Sequence, residues 1–407
     1  MPTRLPLIQP RWPPRRRRTF KVLDVTDFYS DTVSGGVKTY LHAKAAALAG
    51  MGIEHVIVVP GESETVDALG ASRLYRLPGT VVPTSRAYRV MLSARALRHV
   101  LERERPDVVE VGSPFVIPHL LRRALAGEHI PTVGFYHADV VRTFAEPYVP
   151  SAFAAPLRVA ARMAARTLVR RVYGRFDLTI AASASVVTEL RALGVARVRC
   201  VGLGVDLETF RPLPPGERIP TAAWGVEPGV PVGIYAGRFC AEKRLDVLLD
   251  GHARIPAAER PHLVLVGGGP RLAHLEELAR LRPRLTVLPY VHDRAELARV
   301  LASADFYLAP GPGETFGLAI AEALACGLPV VVVDRAAGVD RLAGSAAGES
   351  YRHGDPRSAA AALQRMAARL NPALAQHARD HAESTFDWRR TFTTLVDLYR
   401  DLLAVTR

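Results

Sequence analysis

Two glutamates flank the start of a predicted helix in the most distinctive segment of this sequence, residues 311–331. Glu314 lies in a loop rich in glycine and proline, and Glu322 follows on the helix with seven residues between them. Gly317 opens the helix, and the free N–H groups of a helix start can bind an anion. A carboxylate beside such a site can accept hydrogen bonds from sugar hydroxyls. One such glutamate alone is better explained as a helix cap or a solvated charge, whereas the whole segment is far more specific.

Two cations stand before a second predicted helix. Arg238 and Lys243 follow the predicted strand Val232–Ala236 and precede the predicted helix Arg244–His252. A diphosphate at this place is favoured both by the cations and by the helix dipole. The sequence holds four lysines among 53 basic residues, so a lysine here is informative. The alternative is a pair of solvated surface cations.

Two glycine-rich turns also follow predicted strands. Gly35 and Gly36 precede a helix, and glycine lets the backbone approach a ligand closely. An ordinary tight turn is the alternative. The run Gly267-Gly268-Gly269 does not complete the dinucleotide fingerprint, because Leu272 occupies the position of its third glycine.

A histidine ends the predicted strand Thr132–Tyr136. His137 is therefore expected at the carboxyl end of a parallel strand, where such sheets bind ligands. A lone histidine is more often structural. Asp139 and Arg142 lie just beyond it and are candidates for contact with an acceptor.

Short β-branched runs alternate with helical segments on both sides of a proline-rich break. This alternation predicts an α/β fold with two Rossmann-like doubly wound domains facing a central cleft. One of the predicted helices covers Tyr88–Arg103. The predicted domains are a disordered basic arm (1–18), an N-terminal acceptor domain (19–210), a linker region (211–231), a C-terminal donor-binding domain (232–385) and a C-terminal helix (386–407) that packs back toward the N-terminal domain.

On the 311–331 segment, the sequence resembles the retaining, nucleotide-sugar-dependent glycosyltransferases of family 4, which have the GT-B fold. The resemblance spans residues 20–405, nearly the whole chain. The pattern is most similar to mannosyltransferases that use GDP-mannose and act on lipids or polysaccharides, with UDP-hexose donors and small-molecule acceptors left open. The resemblance implies transfer of a hexose from a nucleotide-diphosphate sugar to a hydroxyl group, with the anomeric configuration retained.

The resemblance also implies roles for individual residues. Glu314 would hold hydroxyls of the transferred sugar, Glu322 the ribose, and Arg238 and Lys243 the leaving diphosphate. His137 would lie beside the reacting sugar. The implied nucleotide-binding set is Gly35, Gly36, Gly268, Val291, Phe316, Gly317, Leu318 and Glu322. No Asp-x-Asp triplet occurs, so neither a metal nor another cofactor is expected besides the nucleotide sugar.

The formal net charge is +13, and six arginines fall within residues 1–18. A further basic face is predicted on a helix where Arg158, Arg162, Arg166 and Arg170 recur every four residues. An apolar stripe adjoins it, formed by Leu157, Ala161, Ala164, Leu168 and Val172. This face is either solvated or a contact for an anionic membrane.

Several classes of protein are excluded by composition. The three cysteines are widely separated and form no C-x-x-C pair, which argues against a disulfide framework or a zinc site. We expect neither a signal peptide nor a membrane-spanning run, so the predicted location is the cytoplasm, with the inner face of the membrane open. Nucleic acid is not an expected partner.

Two other functional classes are weighed against a glycosyltransferase. A nucleotide-dependent oxidoreductase also suits two Rossmann-like units, but the incomplete fingerprint counts against it. A non-catalytic binder of membrane or nucleic acid explains the charge, but it gives no reason for the glutamate pair beside a helix start.

Overall fold

The computed structural model describes residues 20–31, 35–82, 85–125, 127–140, 155–335, 337–342 and 345–406. The predicted basic arm and Arg142 lie outside these residues. The chain divides into two compact units. The first unit holds the described residues up to Tyr136, with 171–180 and the residues from Leu395 onward; the second holds those within 137–170 and 181–394. The domain limits given above stay a prediction.

The elements up to residue 200 are, in chain order, β1 (Lys21–Val25), α1 (Gly36–Gly50), β2 (Glu54–Gly61), β3 (Thr65–Leu69), β4 (Ser72–Val82), β5 (Ser85–Met91), α2 (Ala94–Glu104), β6 (Val108–Val111), α3 (Ile117–Leu125), β7 (Thr132–Tyr136), α4 (Ala155–Tyr173), β8 (Leu178–Ala181), α5 (Ala184–Ala192) and β9 (Val198–Cys200).

The later elements are β10 (Val232–Arg238), α6 (Leu245–Arg254), β11 (His262–Gly268), α7 (Leu272–Leu281), β12 (Leu285–Leu288), α8 (Arg294–Leu301), β13 (Phe306–Ala309), α9 (Leu318–Ala325), β14 (Val330–Val333), α10 (Ala337–Asp340), β15 (Gly348–Tyr351), α11 (Pro356–Arg369), α12 (Pro372–Thr385) and α13 (Trp388–Thr406).

Each unit is built on its own sheet. In the first unit the strand order is β3-β4-β2-β1-β6-β7-β8, with β5 paired to β4. In the second unit the order is β12-β11-β10-β13-β14-β15, and every pair is parallel. Parallel strands covered on both faces need continuous apolar runs, and the four valines of β14 are all buried. Two doubly wound α/β units are therefore present, as predicted.

The helix predicted over Tyr88–Arg103 is wrong in its first part. Residues Ser85–Met91 form β5, which pairs antiparallel with β4, and the helix α2 begins only at Ala94. Ser93 caps that helix, since its side chain accepts a hydrogen bond from the Ala96 N–H at 3.1 Å. These residues have helical composition, but they pair with β4, a strand that the sequence pattern did not reveal, and this pairing decides their conformation.

A network of buried charges lies in the core of the first unit. The Lys44 ammonium is 2.8 Å from Asp24, 3.2 Å from Glu110 and 2.9 Å from the Tyr399 hydroxyl on α13. His55 contacts the other Asp24 oxygen at 2.6 Å. Burial alone would raise the pKa of Asp24, but Lys44 and His55 outweigh it and hold that pKa below its usual value. One ammonium therefore supports two buried carboxylates.

Candidate active site

The carboxyl ends of β10 and β13 define the candidate site in the second unit. β10 pairs with β11 on one side and with β13 on the other, so the connections leave these strands in opposite directions. This is the topological switch point, where doubly wound sheets bind ligands. The loop after β10 carries Lys243, and the loop after β13 carries Glu314.

Lys243 and Glu314 form an ion pair at this point. The Lys243 ammonium donates a short hydrogen bond to Oε1 of Glu314, and both side chains are partly exposed. Burial lowers the pKa of Lys243, but the Glu314 carboxylate raises it more, so the ammonium stays charged. A Cβ on Gly311 would lie 3.2 Å from the Lys243 side chain and 3.4 Å from Oε1 of Glu314. Glycine at 311 thus leaves room for the pair.

Arg238 is the last residue of β10, and its side chain is exposed. Its backbone carbonyl accepts a hydrogen bond from the Tyr235 hydroxyl at 2.9 Å, which fixes the end of the strand. Lys243 lies five residues later, at the end of the short turn Ala241–Lys243 that precedes α6. Both predicted diphosphate-binding cations therefore belong to the same strand-to-helix connection.

The glycine run after β11 is packed against that connection. A Cβ on Gly267 would lie 1.9 Å from the Gly237 carbonyl oxygen, and one on Gly269 would lie 2.8 Å from the Phe239 carbonyl oxygen. Gly268, the predicted nucleotide-binding residue, meets only Cβ of Tyr290, at 3.8 Å. The glycines that close packing requires are therefore Gly267 and Gly269, whereas the predicted nucleotide-binding set holds only Gly268 of this run.

Gly317 caps α9 and adopts a left-handed conformation, with φ of 80°. This conformation favours glycine and turns the chain from the Glu314 loop into the helix. Leu318 is the first residue of α9 and is half-buried. Phe316 is buried, and its ring centroid lies 4.4 Å from the Arg341 guanidinium carbon. The Phe316 side chain is therefore part of the interior.

Glu322 is on the first turns of α9, and its side chain is 7% exposed. Its Oε1 accepts a hydrogen bond from Nη2 of Arg294 at 2.8 Å. Burial raises the pKa of Glu322, and Arg294 opposes that rise. Arg294 is not among the residues predicted from the sequence, because its partner lies 28 residues away and no local pattern relates the two.

Three other predicted positions, His137, Asp139 and Val291, lie in the second unit. The Thr315 hydroxyl donates to the His137 backbone carbonyl at 2.6 Å, which joins the segment after β7 to the Glu314 loop. Val291 is half-buried between Tyr290 and His292, whose rings are 4.7 Å apart. Asp139 is buried.

The predicted glycine pair lies in the first unit. Gly35 precedes α1 in an extended conformation, and Gly36 is its first residue and is exposed. Lys38 donates to the backbone carbonyl of Ser30 at 3.0 Å and of Asp31 at 3.4 Å. The Lys38 ammonium therefore braces the loop before the glycine pair.

Comparison with known proteins decides the family. The profile for Glycosyltransferase Family 4 matches residues 34–209, and that for Glycosyl transferases group 1 matches residues 230–369. A GDP-mannose-dependent alpha-(1-6)-phosphatidylinositol dimannoside mannosyltransferase of Mycobacterium tuberculosis is 32% identical over 392 residues, which cover 95% of this chain and 98% of that relative. The chain is a family 4 glycosyltransferase.

Other similarities agree with this assignment. A GDP-mannose-dependent alpha-mannosyltransferase of the same species is 29% identical to this glycosyltransferase over 277 residues, covering 68% of each chain. The structure of sucrose-phosphate synthase from Thermosynechococcus elongatus matches with a TM-score of 0.76 and 20% identity, over 95% of this chain and 100% of that one. This likeness confirms the GT-B fold class. Family membership also rejects the oxidoreductase and the non-catalytic binder.

In the part of this glycosyltransferase that the structure describes, no helix is both long and apolar enough to cross a bilayer. The same residues contain no group of three or more His, Cys, Asp or Glu side chains arranged to hold a metal ion. The expected independence of metals and cofactors stays a prediction, as do the roles of the individual site residues.

Proposed function

We propose that this glycosyltransferase transfers mannose from GDP-mannose to a hydroxyl group of a lipid or polysaccharide, with retention of the anomeric configuration. The Lys243–Glu314 pair at the switch point is the observation that carries this proposal. It places a cation for a diphosphate beside a carboxylate for sugar hydroxyls. The choice of donor is supported by the two mycobacterial relatives, both of which are named as GDP-mannose-dependent.

The proposed reaction needs no nucleophilic side chain. The bond between the acceptor oxygen and the anomeric carbon forms on the face from which the diphosphate leaves, and the acceptor proton passes to a leaving phosphate oxygen. Negative charge then grows on the diphosphate. Arg238, Lys243, the Gly35–Gly36 turn and the start of α9 would stabilise that charge in the transition state.

The remaining residues would position the substrates. Glu314 accepts hydrogen bonds from the sugar hydroxyls once Lys243 turns to the diphosphate, and Glu322 accepts them from the ribose. His137 lies beside the reacting sugar, and Val291 meets the base through its backbone. No metal or other cofactor takes part in this scheme.

Screening nucleotide sugars by thermal shift tests the proposal. A ligand that binds only the folded protein stabilises it by about 2.7 kcal/mol at a hundred times its Kd, which raises Tm by several degrees. GDP-mannose and GDP are expected to give this shift, and UDP-glucose and ADP-glucose a smaller one. Hydrolysis of GDP-mannose with release of GDP would then be measured. No shift with any nucleotide sugar would reject the function, and a larger shift with UDP-glucose would reject the donor.

We further propose that α4 contacts an anionic membrane, which would hold the enzyme at the cytoplasmic face. Arg162, Arg166 and Arg170 are exposed at four-residue intervals. Two apolar residues are exposed beside them, Val159 at 53% and Met163 at 63%. The side chains of Leu157, from the predicted stripe, and of Arg158 lie outside the described residues. Arginines surrounding exposed apolar side chains suit an anionic lipid surface.

The apolar side chains that α4 exposes are not those of the stripe predicted from the sequence. In the predicted stripe, Val172 is buried, whereas Ala161 and Leu168 are half-buried and Ala164 is exposed. The exposed apolar surface is therefore not the predicted stripe. The reason is that a helical stripe can face the core of the protein as well as a bilayer, and packing decides between them.

Co-sedimentation with vesicles tests the membrane contact. Binding to phosphatidylglycerol vesicles is expected at 20 mM salt, and it should fall steeply by 500 mM salt because the attraction is screened. Replacing Arg162, Arg166 and Arg170 with glutamine should abolish it. The matched control replaces three other exposed arginines, Arg254, Arg280 and Arg389, and removes the same charge. Equal loss in both triple variants would contradict a specific role for α4.

A further inference from the structure

Arg294, the first residue of α8, contacts Glu322 and Phe210 at the same time. Its Nη2 donates to Oε1 of Glu322 at 2.8 Å, and its guanidinium carbon lies 4.6 Å from the centroid of the Phe210 ring. A cation at a helix start is opposed by the helix dipole. The two tertiary contacts, and not the preferences of the helix, therefore account for an arginine at this position.

Phe210 is itself held against α9. Nη1 of Arg379 donates to the backbone carbonyl of Phe210 at 2.8 Å and to that of Ala325, at the end of α9, at 2.7 Å. The Phe210 ring is fully buried. Since Glu322 also belongs to α9, the Arg294 guanidinium lies between two groups that are fixed to the same helix.

We propose that Arg294 is a positioning residue for the donor nucleotide, holding the Glu322 carboxylate in the orientation that accepts the ribose hydroxyls. This inference rests on the proposed function, in which Glu322 binds the ribose. The Arg294 side chain is 37% exposed and that of Glu322 only 7%. A carboxylate so deeply buried needs a charged partner to remain ionised and in one rotamer, and Arg294 supplies both the charge and the hydrogen bond.

Several titratable groups surround the Arg294–Glu322 pair and bear on how its charge changes with pH. Tyr307 on β13 and Cys326 after α9 both interact with Glu322. Burial raises the pKa of the Tyr307 phenol and that of the Cys326 thiol far above neutral. Arg379 is a further charged group here, since it interacts with Cys326. Asp206 faces Arg294, and hydrogen bonds from its own turn hold its pKa below the usual value despite burial. Burial raises the pKa of the Glu322 carboxyl and Arg294 opposes that rise, so removing Arg294 is expected to make Glu322 easier to protonate.

The test compares Arg294→Met with Arg299→Met on the same helix. Arg299 is exposed and donates to the Glu217 backbone carbonyl, so its removal deletes the same charge without touching Glu322. For Arg294→Met we expect the Kd of GDP and the KM of GDP-mannose to rise about ten- to a hundredfold, with kcat changed by less than about threefold. The rise should grow as pH falls from 8.5 to 5.5, because the Glu322 carboxyl then protonates more readily. Arg294→Lys should restore part of the affinity.

A merely structural role for Arg294 would give a different pattern. In that case Tm and kcat fall together, and the loss of GDP affinity does not vary with pH. Binding of GDP to Arg294→Met as tight as to Arg299→Met would also overturn the inference. Adding Glu322→Gln to Arg294→Met should remove the pH dependence, and its persistence would contradict the assignment to Glu322. If the unmodified protein binds no GDP, the proposed function fails first and the inference fails with it.

Discussion

Lys243→Met is expected to lower kcat/KM for GDP-mannose by roughly 10²–10³-fold while leaving the fold intact. Removing one donor aimed at developing negative charge in a site of this kind typically costs that much. Methionine keeps most of the length and volume of the side chain and deletes only the ammonium. The Glu314 carboxylate left behind is partly exposed and can be hydrated, so the loss of stability should be small.

The decisive measurement is initial-rate kinetics on purified protein, with circular dichroism and Tm as checks of folding. Arg254→Met is the matched control, because Arg254 is an exposed cation at the far end of α6, the helix that follows Lys243. Lys243→Arg should keep part of the activity through its charge. A correctly folded Lys243→Met variant with a near-normal rate would refute the assigned role.

Lys44→Met is expected to cost about 3–5 kcal/mol of the free energy of unfolding. Removing one partner of a buried ion pair leaves an uncompensated charge, and here one ammonium serves both Asp24 and Glu110. The Tyr399 hydroxyl on α13 loses its donor as well. Lys44 is completely buried, so water cannot replace the ammonium.

The loss should depend on pH in a definite direction. Burial already raises the pKa of Glu110 to about 7 despite Lys44. Without Lys44, that pKa rises further, and the pKa of Asp24 also rises above that of the unfolded chain. The folded state then binds more protons than the unfolded state, and stability falls as pH rises through the interval between them. Denaturant titrations should therefore show a larger deficit at pH 8 than at pH 5.5.

The control for Lys44 is Lys38→Met on the same helix. The Lys38 ammonium contacts backbone carbonyls and is partly exposed, so its removal should cost less than about 1 kcal/mol. A similar loss in both variants, or a deficit for Lys44→Met that does not change with pH, would contradict the account of the buried network.

The sequence pattern was a good guide to the second unit. The strand predicted over Val232–Ala236 is found as Val232–Arg238, and the helix predicted over Arg244–His252 is found as Leu245–Arg254. Fully buried parallel strands must be continuously apolar, so they stand out from their surroundings. The antiparallel strands β3 and β5 were missed. β3 is almost wholly exposed, and a strand without a buried face leaves no hydrophobic pattern.

Some residues of the candidate site could likewise be recognised from the sequence, and others could not. The loop from Gly311 to Gly317 and the cations Arg238 and Lys243 were recognisable, because a ligand at a helix start requires particular residue types at short spacings. The contacts of Arg294 with Glu322 and of Lys44 with Asp24 were not. Their partners lie 28 and 20 residues apart, and no local rule relates them.

The sequence by itself determined the alternation of strands and helices, the family and the loops that could carry the chemistry. These properties depend on residue types at short spacing. The tertiary structure alone decided that Lys243 pairs with Glu314, that Arg294 supports Glu322, and that Lys44 is buried between two carboxylates. Such contacts depend on how elements that are distant in the sequence pack together. Packing decides which group lies within hydrogen-bonding distance of a buried side chain, and that group sets the charge state and orientation of the side chain.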